Sequence, residues 1–173
     1  IAGITYRVAA GDTVSVLDTR FSVLAVPGHT LDHIAYAHQG EQPAVFCGDT
    51  LFAGGCGRLF EGDPAMMLKS LDSLAALLPS TQVYCAHEYT LANLAFACAV
   101  EPDNHSLSSR VAQAEVTRAQ DKPTVPSDIA LELATNPFLR CREADLRASL
   151  ERQGRLPGSD DPAVVFAAVR GWK

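Results

Sequence analysis

The sequence predicts a mixed α/β fold, with a β-rich part over residues 1–90 and a helical part over residues 91–173. Two observations carry this. Short runs of alternating apolar and polar residues, separated by turn residues, fill the first ninety positions, and one strand–helix–strand unit lies among them. From Thr90 onward, apolar residues recur at helical spacing and no run reads as a strand. A third observation concerns chemistry. Three of the predicted strands end in a small residue followed by a side chain able to bind a metal.

In chain order, strands are predicted over residues 4–8, 14–17 and 21–26, with turns at Ala10-Gly11-Asp12 and Asp18-Thr19. That is a meander, and it leads into Pro27-Gly28-His29-Thr30. Further strands are predicted over 33–37 and 44–47. Asp63-Pro64 then opens a helix, with a carboxylate at the N-cap and proline at the first helical position. Leu68, Leu71, Leu74 and Leu78 give that helix one apolar face, and Pro79 ends it. A strand over 83–85 completes a crossover unit with parallel strands. The helical part reads as a helix capped by Thr90 and running to 99, and another over 106–120. A short helix capped by Ser127 runs to about 134, followed by one over 143–152. Asp161-Pro162 opens the last, after a loop over 154–160.

Composition narrows the function. The 173 residues are 47% hydrophobic and 20% charged, enough for a sizeable core. Net charge is −6, with a pI near 5.3, which argues against nucleic acid or an anionic membrane as the main partner. No apolar run approaches the ~18 residues of a membrane span. Five cysteines, with no C-x-x-C pair and no basic-then-apolar leader, suit free thiols in a reducing compartment; the expected location is the cytoplasm.

The three strand ends are Val23-Leu24-Ala25-Val26 before Pro27-Gly28-His29, Val45-Phe46-Cys47 before Gly48-Asp49, and Val83-Tyr84-Cys85 before Ala86-His87. Sites in layered α/β proteins gather at the carboxyl edge of the sheet. Two imidazoles and a carboxylate converging there suit zinc or iron. Taken singly, each residue reads more readily as a turn or capping group, and it is the three strand ends together that bring a metal site level with that reading.

P-G-H-T-L-D-H at 27–33, F-C-G-D-T-L-F at 46–52, G-C-G-R-L-F-E-G at 55–62, C-A-H-E-Y-T-L-A-N-L at 85–94 and N-P-F-L-R at 136–140 resemble glyoxalase II. This is the hydroxyacylglutathione hydrolase family of the metallo-β-lactamase fold. The resemblance covers nearly the whole chain. It implies the C-terminal half of an αββα sandwich followed by a helical, glutathione-binding domain. It also implies two divalent metal ions, zinc first, with iron or manganese as alternatives. By position, His29 matches a ligand of the first metal, His87 a ligand of the second, and Asp49 the bridging carboxylate. Arg58, Phe60 and Tyr89 fall where the family contacts glutathione. Arg170 and Lys173 match a basic pair that holds its glycine carboxylate, and residues three apart do share a helix face. His33 is expected to orient the His29 loop from behind. No catalytic residue beyond the metal ligands is expected. The implied reaction is attack of a metal-bound hydroxide on S-(2-hydroxyacyl)glutathione thioesters such as S-lactoylglutathione.

One departure limits that expectation. The family motif T-H-x-H-x-D-H, which supplies two ligands to each metal, is absent and belongs upstream. The chain alone is therefore expected to be inactive and to bind metal weakly or not at all. An open sheet face would await an N-terminal segment or another chain. Asp32 stands where the family usually has glycine. Two other readings remain at this point. One is a non-catalytic module that binds glutathione or an N-terminal partner; the other is a persulfide dioxygenase or lactonase of the same fold.

Overall fold

The structure is a computed structural model that describes residues 3–156 and 158–173. Its main sheet has six strands in the order β1-β2-β3-β4-β7-β8. β1 (Thr13–Val16), β2 (Thr19–Ala25), β3 (Ile34–His38) and β4 (Ala44–Gly48) form an antiparallel meander. The β1–β2 turn, Leu17-Asp18, has φ of 48° and 63°. Two positive φ values mark the turn whose twist suits a two-residue hairpin. β5 (Leu51–Phe52) and β6 (Gly55–Cys56) form a separate small hairpin.

α1 (Pro64–Ala75) starts as its sequence dictates: the Asp63 carboxylate accepts from the Met66 N–H at 2.8 Å, and Pro64 follows. The helix buries Met67, Leu68, Leu71 and Leu74 against the sheet. Leu78, expected on that face, is 54% exposed, because the helix ends before it. The chain then crosses over into β7 (Gln82–Cys85), which pairs in parallel with β4.

The helical half comprises α2 (Thr90–Val100), α3 (His105–Ala119), α4 (Ile129–Thr135), α5 (Ala144–Arg152) and α6 (Pro162–Trp172). Three expectations change here. Thr90 does not cap α2; its hydroxyl meets the Thr124 hydroxyl at 2.7 Å. A strand does follow residue 90: β8 (Ser127–Asp128) pairs antiparallel with β7, and Asp128 rather than Ser127 caps α4. Residues 4–8 form no strand. Alternation there marks which side chains share a face, yet no neighbouring strand receives their backbone groups. Pro157, in the loop expected over 154–160, lies outside the described residues.

Among the described residues, one face of the main sheet is covered and the other is left open. Ala35, Ala37, Val45, Cys47 and Val83 point into a core shared with α1 and with Ile129, Phe138, Leu146, Phe166 and Val169 of the helical half. α6 packs on α1, and α2 on α3. On the opposite face, Phe46 is 45% exposed and stacks on Tyr84 at 4.8 Å, with Phe21 at its edge. A shallow apolar cavity of about 610 Å³ lies over Tyr6, Val14, Phe21 and Tyr36 beside Phe46.

Candidate metal centre and substrate groove

β2, β4 and β7 run in one direction, because two antiparallel steps separate β2 from β4 and β4 pairs in parallel with β7. Their carboxyl ends therefore share one edge of the sheet. The loops that leave it carry His29, Asp49 and His87. Asp49 Oδ1 lies 3.4 Å from His87 Nε2, and Asp49 Oδ2 lies 4.0 Å from His29 Nε2. Each carboxylate oxygen thus faces a different imidazole. Among the described residues, no three ligand side chains close around one point. Imidazole and carboxylate are the donor types that divalent zinc, iron and manganese take, so this donor set fits such ions.

The supporting contacts fix how these groups are presented. His29 Nδ1–H donates to the Arg58 carbonyl at 2.9 Å, which leaves the Nε2 lone pair facing Asp49. His33 Nε2 accepts from the Asp49 N–H at 3.1 Å, and its Nδ1 meets the Thr30 hydroxyl at 3.3 Å. His33 therefore braces Asp49 from below as well as the His29 loop, a role wider than the one expected. Burial lowers the His33 pKa, His29 lowers it further, and Asp49 opposes both. Its neutral form is the one that can accept from the Asp49 amide.

The glycines explain how two loops approach so closely. A Cβ on Gly57 would lie 1.9 Å from the Asp49 carbonyl oxygen, and one on Gly62 would lie 2.6 Å from the Gly28 Cα. Gly48, at φ 55°, turns the chain directly over His33. The 57–62 loop can therefore lie flat against Gly28-His29, closed by the Phe60 N–H to His29 carbonyl bond at 3.3 Å and the Gly62 N–H to Gly28 carbonyl bond at 3.2 Å.

A groove of about 920 Å³ runs from these donors to the end of α6. It is lined by His29, Asp49 and His87, by Arg58, Phe60 and Tyr89 beside them, and by Arg170 and Lys173 from α6 and its end. Eight of the nine residues singled out in the sequence meet in this one cavity; His33 lies beneath it. Phe60 packs on His29 with ring centroids 4.9 Å apart, and Tyr89 stacks on His87 at 5.0 Å.

The two C-terminal cations differ in their commitments. Arg170 Nη1 donates to the carbonyls of Cys56 and Gly57 at 3.3 and 3.4 Å, so it braces the groove wall. Lys173 Nζ donates to Asn93 Oδ1. Burial, reinforced by the Arg170 charge, lowers the Lys173 ammonium to about 8. Asn93 escaped the sequence reading, although it lies inside the H-E-Y-T-L-A-N-L stretch; its Nδ2 donates to the Ala53 carbonyl at 3.0 Å. Cys56 also lines the groove, but burial pushes its thiol up to about 11.

Fold and donor set together define a chain of the metallo-β-lactamase superfamily, whose family description matches residues 6–87. A solved structure of ETHE1 from Myxococcus xanthus superposes with a TM-score of 0.57 at 27% identity, covering 97% of this chain and 59% of that one. A second family description, hydroxyacylglutathione hydrolase C-terminus, matches residues 88–173. The hydroxyacylglutathione hydrolase of Pseudomonas aeruginosa strain LESB58 is 54% identical over 94% of this chain and 63% of its own length. That of Dechloromonas aromatica is 48% identical over 100% of this chain and 69% of its own length. The chain belongs to the hydroxyacylglutathione hydrolase family, and it spans about two thirds of the length of such relatives. Among the described residues no helix is long and apolar enough to cross a membrane.

Proposed function

We propose that this chain supplies one wall of a two-metal centre and the glutathione groove of a thioester hydrolase, completed in a protein of the relatives' full length. The reaction is hydrolysis of S-(2-hydroxyacyl)glutathiones, S-lactoylglutathione among them, to glutathione and a 2-hydroxy acid. One observation carries the reading: a single groove joins the His29–Asp49–His87 donors to the Arg58, Arg170 and Lys173 cations. In an acidic protein, cations gathered in one groove suit a substrate with two carboxylates.

His29 and Asp49 would hold one divalent ion, and Asp49 and His87 the other. Such ions supply an activated water at neutral pH and polarise the carbonyl. The chain's own residues do the rest. The His29 Nδ1–H bond to the Arg58 carbonyl fixes the tautomer that keeps Nε2 free, and His33 holds the Asp49 backbone. Phe60 and Tyr89 are flat apolar walls on either side of the donors. The leaving thiol has a pKa of ~8.5, so it departs as a thiolate without a strong acid from this chain. Lys173 binds the distal carboxylate, and Arg170 holds the loop wall beside it. The division of labour follows the chain, with residues 1–90 presenting the metal ligands and 91–173 forming the glutathione end of the groove. The exposed face around Phe46 and Tyr84 suits an upstream segment or a second chain. Five free thiols suit a reducing cytoplasm.

The test is S-lactoylglutathione hydrolysis by this chain with and without the upstream segment of a relative. We expect turnover only on complementation. Binding of the glutathione product without turnover in either case would leave the non-catalytic module as the better account.

The Lys173 ammonium gives a pH signature. Its charged form binds a carboxylate, so affinity for S-methylglutathione should be constant below pH 7. It should fall by roughly tenfold as pH rises through about 8, the loss of one charge-assisted hydrogen bond. Fold stability moves the other way. The folded pKa is depressed below the ordinary 10.5, so between about 8 and 10.5 the unfolded chain binds more protons and stability rises with pH. Calorimetric titration across pH 6.5–9.5 measures the affinity limb, and Lys173→Arg should flatten it. A profile identical in the two proteins would remove Lys173 from the groove's chemistry.

A further inference from the structure

The turn between β5 and β6 is gripped by side chains of the helical half. Asn136 Nδ2 donates to the Phe52 and Gly55 carbonyls at 3.3 and 2.9 Å. Asn93 Nδ2 takes the Ala53 carbonyl. The Gly54 N–H donates to Glu132 Oε2 at 2.9 Å. Every residue of the 52–55 turn is thus tied by its backbone to a side chain that enters from α2, α4 or the end of α4.

Glu132 is the centre of this arrangement. It is fully buried, with 0% of its surface exposed. Oε1 accepts from Arg110 Nη2 and from the Ser127 hydroxyl, both at 2.5 Å, and Oε2 accepts from Asn136 Nδ2 at 2.8 Å as well as from Gly54. Burying a carboxylate and a guanidinium is costly, and an apolar pair of similar size often serves stability as well or better. A buried ion pair is therefore weak evidence for stability and calls for another role. The role is in what the second oxygen holds. The 52–55 turn lies between Asp49 and Arg58, and it carries Phe52, whose ring sits 6.1 Å from His87 and 5.5 Å from Tyr89. Gly54, at φ 70°, presses on Leu94, and Gly55 lies against Asn93, so the turn has little room to drift without losing its anchor.

We propose that Glu132 is a positioning residue for the groove. Its buried carboxylate, paired with the Arg110 guanidinium, fixes the 52–55 turn through the Gly54 amide. Through that turn it sets the Asp49-to-Arg58 segment and the Phe52 ring behind His87 and Tyr89. A glutamine cannot substitute: its amide NH₂ must face either the Gly54 and Asn136 donors or the Arg110 and Ser127 donors. The binding readout below rests on the glutathione reading of the groove; the exchange readout does not.

The experiment compares Glu132→Gln with Leu150→Ala in the full chain. Leu150 is a buried core residue of α5, a helix that supplies none of the side-chain bonds to the turn named above, so its truncation destabilises the core without removing one of them. Amide hydrogen exchange at Gly54 and the Kd for S-methylglutathione are measured in both. Glu132→Gln should speed Gly54 exchange and weaken binding by about 10–100-fold each, the loss of a hydrogen bond to a charged group. Leu150→Ala should leave binding within about threefold even at a larger loss of melting temperature. Unchanged Gly54 exchange in Glu132→Gln, or equal loss of binding in the two variants, overturns the proposal. If the wild-type chain does not bind S-methylglutathione, the glutathione reading fails and Gly54 exchange still decides for Glu132. If Glu132→Gln does not fold, the wild-type chain decides: the Gly54 amide should exchange at least about 100-fold slower than a free turn amide, and rapid exchange overturns the proposal.

Discussion

Replacing Phe138 with alanine is expected to destabilise the chain by about 3–5 kcal/mol and to weaken glutathione-thioether binding by about tenfold. Phe138 is wholly buried and packs its ring between Phe166, at 5.5 Å, and Phe96, at 6.2 Å. The cavity left by its removal has no obvious way to collapse, since sheet-side and helix-side residues of one core surround it. The same ring reaches the groove. The Arg170 guanidinium carbon lies 5.0 Å from its centroid and Lys173 Nζ 5.9 Å from it. One side chain thus supports the fold and orients the two cations. Phe138→Leu separates the roles. It keeps most of the apolar volume, so it should cost about 1.5 kcal/mol or less by denaturant midpoint at unchanged m-value. It removes the π face entirely, so the affinity loss should persist. Wild-type affinity in Phe138→Leu would show that the cations do not depend on the ring.

The fold was legible wherever burial imposes a period on the sequence. The alternation of the meander, the leucine stripe of α1 with its Asp63-Pro64 start, and the three strand ends at His29, Asp49 and His87 all follow from side chains that must face one core. Elements too short to show a period were invisible. β5, β6 and β8 have two residues each; β8 is fixed by pairing with the distant β7, and the β5–β6 hairpin by side chains that reach it from the helical half. Residues 4–8 show the converse: a strand pattern is not sufficient for a strand, because a hydrogen-bonding neighbour decides it. At the candidate site, residues of metal-ligating type were easy to single out, because few side chains can do that chemistry. Their supports were not. The Arg58 carbonyl that orients His29, the carbonyls that occupy Arg170, and Glu132 beneath the Gly54 amide are polar contacts between distant segments, and they leave no periodic trace. A lone charged residue in a helix reads as a solvated one, which is why a fully buried glutamate went unnoticed.

Asp49→Asn is the change with the largest expected functional effect: a loss of at least about 100-fold in divalent-metal affinity in a protein of the relatives' full length. Removing a group that merely orients a metal ligand costs about 10–100-fold, and a direct ligand costs more. The expected pattern is more informative than its size. Asp49 directs Oδ2 toward His29 and Oδ1 toward His87, so on the proposed reading one residue would serve two positions. Asparagine keeps the shape but replaces one oxygen by an NH₂. It loses the negative charge that both ions would share, so affinity should fall at both positions. His87→Ala removes a donor from one side only and should lower affinity at one position while sparing the other. The fold should survive Asp49→Asn. The His33 bond is to the Asp49 backbone N–H and does not depend on the carboxylate. His29 Nε2, left as an acceptor by its Nδ1–H bond to Arg58, can take a hydrogen bond from the new amide. Metal loss without unfolding is therefore the predicted signature. Atomic emission on dialysed protein gives the metal equivalents, chelator competition gives the affinities, and thermal melting checks the fold. Retention of two tight equivalents in Asp49→Asn would end the bridging account, because neither position would then depend on the carboxylate.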